Sequence, residues 1–332
     1  MIISKKSLGI TFIFSLLISL FLPNLTEVKI EQLLKTIYRG YRGERIILDS
    51  LGVPIVDYGE LGIHRNPVIV GWQALMYYRE YIQTADTRLK ELFLNCADWF
   101  ACEGQKAQGG LIWVYDFPYP RYALASGWRS AMAQGRAAEV LTIAFQLTGD
   151  SCYISLAGEA VRALAADTLR GGMNQGGWYE EYAGGDTESP RVLNGMMFTL
   201  LGIYRYYECT KDSIAGFLFE RGLRELKKEL HLYDTGCWSY YDILGKIASR
   251  AYHNIHIQLL TELVEITQEP VLRLYRDKFA SYLRIPFCIR LIRRPTRVRL
   301  AVFATNFMIT FPIVLLLSLA MSRIKRRGQD DI

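Results

Sequence analysis

The sequence predicts an all-α fold built from repeated helical hairpins. Apolar residues recur at helical spacing through segments 71–84, 86–102, 128–147, 152–166, 194–209, 212–230, 253–267 and 270–282. The connections between these segments alternate between very short and very long. Within a pair the connection is a tetrapeptide, TADT, TGDS, TKDS or TQEP, offering an acid or hydroxyl side chain that can cap the next helix. Between pairs it is long, aromatic and glycine-rich, over 103–127, 167–193 and 231–252. Short turns at one end and long loops at the other describe stacked hairpins, as an open solenoid or a closed ring, with the long loops on one shared face. Loops of that length are uncommon in a compact fold unless they are functional, so the shared face is the candidate site.

In chain order, residues 1–26 form an N-terminal membrane anchor or signal segment, because 7–23 are apolar and uncharged and follow Lys5 and Lys6. No small-x-small cleavage pattern follows, which favours an uncleaved anchor. Residues 27–285 form the helical domain, and 51% hydrophobic content over 332 residues suffices for one large core plus appendages. A basic juxtamembrane segment spans 286–299, with five arginines from Arg290 to Arg299. A transmembrane helix covers 300–322, uncharged over 300–321, and a basic tail closes the chain at 323–332. The positive-inside rule sets Lys5, Lys6 and the tail in the cytoplasm and the helical domain on the extracytoplasmic side. The five arginines oppose that topology unless they meet anionic headgroups.

The net charge of +6 belongs to these flanks: residues 284–332 carry +8 and Lys5 with Lys6 carry +2, which leaves −4 for residues 7–283. A nucleic-acid surface is therefore not indicated. The cysteines Cys96, Cys102, Cys152, Cys209, Cys237 and Cys288 form no CxxC pair and read as small packing residues. His253 and His256 are three apart on a helix, but no third ligand accompanies them, so no metal site is expected.

Each long loop mixes aromatic and acidic residues: LIWVYDFPYPRYALASGW, GGMNQGGWYEEYAGGDTESPRVLNG and LYDTGCWSYYDILGKIASRAYHNIH. Tyrosines at loop ends commonly pack on a helical core and wet their hydroxyls. Three such loops converging instead suit a carbohydrate, with aromatic faces under sugar rings and polar tips on hydroxyls. At these residues the chain resembles the D-glucuronyl C5-epimerases that act on heparan-type polysaccharides. The matching segments are SAMAQGRA (130–137), WYEEY (178–182), VLNGMMFTLLGIY (192–204), LYDTGCWSYYD (232–242) and YHNIHIQLL (252–260). Weaker similarity runs through RNPVIVGWQAL (65–75), and the whole resemblance spans about 50–283. It implies the C-terminal helical domain of the animal enzymes, an incomplete (α/α) toroid with its site at one mouth. No counterpart of their preceding β-rich domains is expected.

Inverting C5 of a hexuronate removes a proton next to a carboxylate and returns one to the opposite face, so two acid/base groups must flank the ring. The anionic intermediate needs hydrogen-bond donors. Tyrosine suits this if neighbours pull its pKa below about 10, and glutamate if burial raises its own above about 4.3. The resemblance implies that Glu181, Tyr182, Tyr241 and Tyr252 are the acid/base and carboxylate-contacting groups, with Tyr182 and Glu181 on one face of the sugar and Tyr252 on the other. Substrate contacts are expected at Tyr179, Asn194, Gln134, Arg250 and His253, with His256 as packing. Glu180 and Glu181 are adjacent and point to opposite sides of an extended segment, so one of them faces the cleft and Glu180→Gln is expected to be mild. Where the family carries an arginine to hold the uronate carboxylate, this chain has Leu244, and Arg250 is the expected replacement.

A polysaccharide lyase begins with the same proton abstraction, and a glycoside hydrolase would use two carboxylates on the same scaffold. A membrane-tethered helical-repeat interaction module is the reading of another class, but it predicts a regular period and plain loops. The expected partners are an acidic, uronate-containing polysaccharide and the lipid bilayer, with no nucleic acid and no cofactor. A homodimer is compatible with the sequence.

Overall fold

The computed structural model describes residues 5–23, 26–27, 29–30, 33, 45–107, 109–184 and 189–330. Residues 185–188 of the second long loop, and the side chains of Lys5, Lys6 and the tail after Met321, lie outside the described residues. The chain divides into two compact units, Arg42–Phe279 and a terminal unit of Met1–Tyr41 with Ala280–Ile332. Helix α1 (Lys5–Phe21) belongs to the terminal unit.

The central unit opens with a small antiparallel sheet, β1 (Arg45–Leu48), β2 (Pro54–Asp57) and β3 (Ile63–His64), in which Ile46 faces Val56 and Val56 faces His64. Four helical hairpins follow: α2 (Pro67–Thr84) with α3 (Thr87–Glu103), α4 (Ala131–Thr148) with α5 (Ser151–Ala163), α6 (Leu193–Thr210) with α7 (Ser213–Glu229), and α8 (Arg250–Thr267) with α9 (Pro270–Tyr282). The first helices of the pairs adjoin in series, α2 to α4 to α6 to α8, while α3, α5 and α7 pack behind them. At the α4–α6 crossing a Cβ on Gly135 would come within 2.7 Å of Thr199 Cα, so the two backbones meet where no side chain fits.

One turn design closes all four hairpins. The residue after the terminal threonine takes the left-handed conformation, at φ 57° for Ala85, 75° for Gly149, 56° for Lys211 and 55° for Gln268. Its N–H returns to the carbonyl four residues back at 2.7–2.9 Å, which satisfies a carbonyl that the helix end would otherwise orphan. The threonine hydroxyl then accepts the N–H of the acid two residues on, Thr84 from Asp86, Thr148 from Asp150, Thr210 from Asp212 and Thr267 from Glu269, at 3.2–3.3 Å. Asp86, Asp150 and Asp212 in turn cap the next helix, accepting from the N–H groups of Arg88, Cys152 and Ile214 at 2.8–2.9 Å.

Helix starts differ from the periodic pattern by a few residues, for local reasons. Helix α2 begins at Pro67 because Asn66 caps it, and α4 begins at Ala131 because Trp128 and Arg129 form strand β7 and Ser130 is the cap. The long loops are also not strand-free. They contain the two-stranded ladders β4 (Gln105–Ala107) with β5 (Gly110–Ile112), β6 (Val114–Tyr115) with β7 (Trp128–Arg129), and β8 (Asn174–Gln175) with β9 (Trp178–Tyr179). Two- and three-residue strands carry no readable period, yet they pair backbone groups where these loops dip into the core.

In the terminal unit α1 runs antiparallel to α11 (Arg297–Asp330), with the short α10 (Phe287–Arg293) beside them. The pair is inside out for a water-soluble helix pair. Thr11, Ser15 and Ser19 are buried at i, i+4 and i+8, and the hydroxyls of Ser19 and Thr310 lie 2.8 Å apart. Ile10, Phe14, Met308, Leu316 and Leu317 face outward. The Thr26 hydroxyl donates to Asn306 Oδ1 at 3.1 Å, and Arg290 grips Glu27 bidentately at 2.9 and 2.7 Å. Among the described residues one helix, Arg297–Met321, is long and apolar enough to cross a bilayer, with mean hydropathy 2.2; the apolar stretch Leu8–Phe21 is shorter.

The connector design makes a testable claim. Gly149→Ala forces a Cβ into the left-handed position and should lower stability by about 1 kcal/mol, whereas Ala85→Gly at the equivalent place should not destabilise. Thermal unfolding of the two variants checks both signs.

Candidate active site

The second long loop is aimed by its glycines. Gly176 (φ 65°) and Gly177 (φ 110°) form the two-residue turn between β8 and β9, both left-handed as a tight hairpin of this hand requires. Asn174 Oδ1 accepts the Gly177 N–H at 2.9 Å and locks the turn. Strand β9 then drives Trp178 and Tyr179 into the core, and Trp178 stacks on Tyr233 with ring centroids 5.6 Å apart. Beyond β9 the extended chain continues to alternate. Glu180 turns to the loop, accepting from the Ser189 hydroxyl and from the Arg191 N–H at 3.2 Å. Glu181 lies against the first turn of α6, where a Cβ on Gly195 would come within 2.6 Å of Glu181 Cβ.

Glu181 is 7% exposed, and its Oε2 has no hydrogen-bond partner among the described residues. Burial pushes its carboxyl up to about 7, against the opposing pull of a hydrogen bond from Tyr182 and of the Lys246 charge. Around it the three loops contribute phenols. Tyr182 stacks on Tyr119 at 4.8 Å and 8°, and lies 4.8 Å from the Tyr122 ring and 5.6 Å from Trp128. Tyr241 is a further close neighbour of the Tyr182 hydroxyl. Tyr241 meets Tyr252 edge to face at 4.8 Å, and the Lys246 ammonium sits 4.0 Å over the Tyr241 ring. Tyr182, Tyr241 and Tyr252 therefore form one contiguous group.

Burial also raises the phenols of Tyr182, Tyr241 and Tyr122, with the Glu181 carboxylate next in order for the first two and Asp242 for the third. The expectation that neighbours pull a tyrosine pKa down is thus reversed: at neutral pH these phenols are protonated. Burial pushes the carboxyls of both Glu180 and Glu181 up to about 7, and of the two it is Glu181 that keeps an oxygen without a partner among the described residues.

Asp242 fastens the cluster. Its Oδ2 accepts the Tyr122 hydroxyl at 2.8 Å and its Oδ1 the Lys246 backbone N–H at 3.0 Å. Backbone bonds finish the weave. Arg129 and Ala183 pair in both directions at 2.7 and 2.9 Å, the Leu193 N–H donates to Tyr241 O at 3.1 Å, and the Ile243 N–H donates to Pro190 O at 3.0 Å.

Three expected substrate contacts are bonded to other protein groups in the structure. Tyr179 is fully buried and its hydroxyl donates to Leu218 O on α7 at 2.7 Å. Gln134 is fully buried, its amide donating to Leu111 O at 2.7 Å and Ala160 O at 3.1 Å while its Oε1 accepts the Trp113 N–H. His253 is buried with its ring stacked on Trp238 at 3.8 Å, and its ring nitrogens meet Ser239 Oγ at 2.7 Å and Phe279 O at 3.0 Å. His256 Nδ1 meets the same Ser239 hydroxyl at 2.9 Å, and His256 is also buried. Glu180, bonded and 1% exposed, holds the loop, so its replacement is not a silent control. Asn194 is buried in the first turn of α6, and its Oδ1 has no partner among the described residues. Arg250 opens α8 and is half-buried, while Leu244 is 48% exposed at the tip of the third loop. Sequence reasoning missed Tyr119, Tyr122 and Lys246. The first two stand in the YPRY stretch of a loop already noted for its aromatics, but nothing local distinguishes them from packing tyrosines.

Every member of this cluster lies within residues 108–281, which match the family model described as D-glucuronyl C5-epimerase C-terminus. The chain belongs to the D-glucuronyl C5-epimerase family. It is 30% identical over 244 residues to the D-glucuronyl C5-epimerase of Caenorhabditis elegans, a match that covers 65% of this chain but 38% of the worm protein. It is also 29% identical over 257 residues to an uncharacterized protein of Methanocaldococcus jannaschii, covering 69% of this chain and 83% of that one. Among solved structures the Lin0763 protein from Listeria innocua is similar, with a TM-score of 0.51 at 14% identity over 96% of this chain and 87% of that one. That likeness speaks for a shared fold.

The reassignment of Tyr179 is open to test. Tyr179→Phe removes a buried hydrogen bond and should lower stability by about 1 kcal/mol. Activity per folded molecule should stay near the parent's. A loss of turnover without a fall in melting temperature would return Tyr179 to the substrate.

Proposed function

We propose that this chain inverts C5 of hexuronate residues, D-glucuronate to L-iduronate, within a polysaccharide, and that the open series of hairpins is an incomplete (α/α) toroid holding that polymer across its loops. The observation that carries this is the buried Glu181 carboxyl, with Oε2 unpartnered among the described residues and phenols from all three loops around it. A base that titrates near neutrality beside high-pKa donors is what proton abstraction next to a carboxylate needs.

In this reading Glu181 takes the C5 proton from one face of the ring. The bonding pair stays on the substrate as an ene-diolate, and Tyr182 and Tyr241 donate hydrogen bonds to it. Tyr252 delivers a proton to C5 from the other face, forming the new C–H bond. Glu181 is then protonated and Tyr252 is a phenolate. The hydroxyl series Tyr182–Tyr241 between them returns the proton and restores both groups without a co-reactant. Asn194 is proposed as a hydrogen-bonding contact for the sugar.

Incubating the full-length protein with uronate-containing polymers in deuterated water tests the reaction by proton NMR. The expected product has deuterium at an inverted C5. An unsaturated 4,5 product would establish a lyase instead, and new reducing ends without either change a hydrolase. Tyr182→Phe and Tyr252→Phe should each lower turnover by about 100-fold or more with little loss of stability. The pH profile has a definite sign. Because the Glu181 carboxyl titrates near 7, its base form accumulates as pH rises through that value, so the rate should climb with a midpoint near 7. Glu181→Gln should abolish that limb.

We also propose that the protein works at a membrane through two spans, 7–23 and 300–321, with the helical unit on the extracytoplasmic side. The inside-out packing of α1 on α11 supports this, since apolar faces turned outward suit lipid and hydroxyls turned inward suit a helix interface. Full-length protein should stay in the membrane pellet through an alkaline carbonate wash. Release into the supernatant would overturn the proposal.

A further inference from the structure

We propose that Lys246 is the cation that receives the substrate carboxylate in this chain, and that it is held ready for this by the turn it shares with Tyr241. The inference rests on the hexuronate reading above. A site lined by Glu181 and Asp242 and by phenols attracts no anion unaided, and abstraction beside a carboxylate adds a second negative charge to the substrate. A cation must therefore stand within reach of both the base and the sugar.

Lys246 meets that requirement on geometry. Its ammonium lies 4.0 Å over the Tyr241 ring, and its charge reaches the Glu181 carboxyl. The side chain is half-buried. The backbone beneath it is fixed: the Tyr241 N–H donates to Lys246 O at 2.6 Å, the Lys246 N–H donates to Asp242 Oδ1 at 3.0 Å, and Gly245 takes φ 88° to close the turn. Tyr241 and Lys246 are thus bonded partners at the base of a turn whose tip, Ile243 and Leu244, is exposed. A basic residue at 244 would stand at that exposed tip, whereas at 246 it stands beside the base. Arg121 is the contrasting cation. It is exposed, lies over the Tyr122 ring at 5.4 Å, and has Asp242 as its nearby carboxylate.

This arrangement couples binding to activation. In the free protein the ammonium is shared between the Tyr241 face and the Glu181 carboxylate, which it stabilises. A substrate carboxylate competes for the same ammonium. When it takes the ammonium over, Glu181 loses that stabilisation and becomes a stronger base as the proton to be removed arrives.

The test uses full-length Lys246→Met and Lys246→Gln, which keep the stem and delete the charge, with Lys246→Arg as the conservative variant and Arg121→Met as the contrast. Two readouts are needed: deuterium entry at C5 of a uronate polymer, and binding of that polymer against its carboxyl-reduced form. The neutral variants should slow exchange by about 100-fold and weaken binding of the native polymer by about tenfold, while leaving binding of the carboxyl-reduced polymer unchanged. Lys246→Arg should recover part of both. Exchange near the parent rate in both neutral variants, or an equal loss of binding for the two polymers, would overturn the assignment, as would a larger effect from Arg121→Met. If the parent itself exchanges no deuterium, the epimerase reading fails. The Lys246 assignment is then judged by binding alone, and stands only if the parent prefers the native polymer and the neutral variants lose that preference.

Discussion

The site depends on one buried carboxylate, Asp242. It is 1% exposed, and its two oxygens hold different parts of the molecule: Oδ2 takes the Tyr122 hydroxyl of the first long loop and Oδ1 the Lys246 N–H of its own. Hydrogen bonds to a charged group contribute about 1.5–3 kcal/mol each, and losing the acceptor would remove both of these ties between the loops and the turn. The neighbouring residues use the same anchor. Tyr241 O takes the Leu193 N–H that starts α6, and Ile243 donates to Pro190, so the second loop is fastened to the third at the point where Asp242 fastens the first. Both oxygens of Asp242 are committed to the frame, whereas Glu181 keeps one oxygen without a partner among the described residues.

With the frame closed, burial decides the chemistry. Glu181 and the phenols are removed from water together, and the same physical cause acts in one direction on all of them: the neutral form is favoured, which lifts a carboxyl toward neutrality and lifts a phenol further from it. Glu181 and Tyr182 begin apart and are both raised, which suits the proposed roles of the carboxyl as proton acceptor and the phenols as donors. The acid/base division therefore needs no residue to lower a tyrosine pKa.

Much of the scaffold was legible in the sequence because its signals are local. The helical period locates all eight helices of the central unit, and the TADT, TGDS, TKDS and TQEP tetrapeptides carry their turn chemistry within four residues. Glu181, Tyr182, Tyr241 and Tyr252 stand in segments whose order resembles a known family, and the structure brings them together. What was not legible depends on direction. Tyr179 and Tyr182 are both tyrosines of one pentapeptide, but Tyr179 sits on β9, whose register points it at α7, and Tyr182 lies three residues on, against Tyr119. His253 and Gln134 sit on inner helices near the loops, and whether such a side chain faces the loops or the neighbouring helix depends on tertiary packing that no single helix encodes. Lys246 was hidden for the opposite reason: position 244 is the one that aligns with a basic residue in the resembling family, and the bond pattern of the turn is what sets 246 beside Tyr241.

The two ends of each hairpin are built for different purposes, and this lets a rigid frame carry an elaborate site. At the short end every connector repeats one compact solution, a left-handed residue between a threonine and an acid, so helix spacing there is set by backbone geometry. Along the inner layer α4 and α6 meet through Gly135 and Gly202, where either helix leaves no room for a side chain from the other. These constraints fix the roots of the long loops without help from any contact between the loops. The loops then need only short ladders and the Asp242 anchor to bring their tyrosines together. Gly195 extends the same logic into the site, since its missing side chain is the space that Glu181 occupies at the start of α6. Glu181 is thereby held by the inner helix layer as well as by its loop.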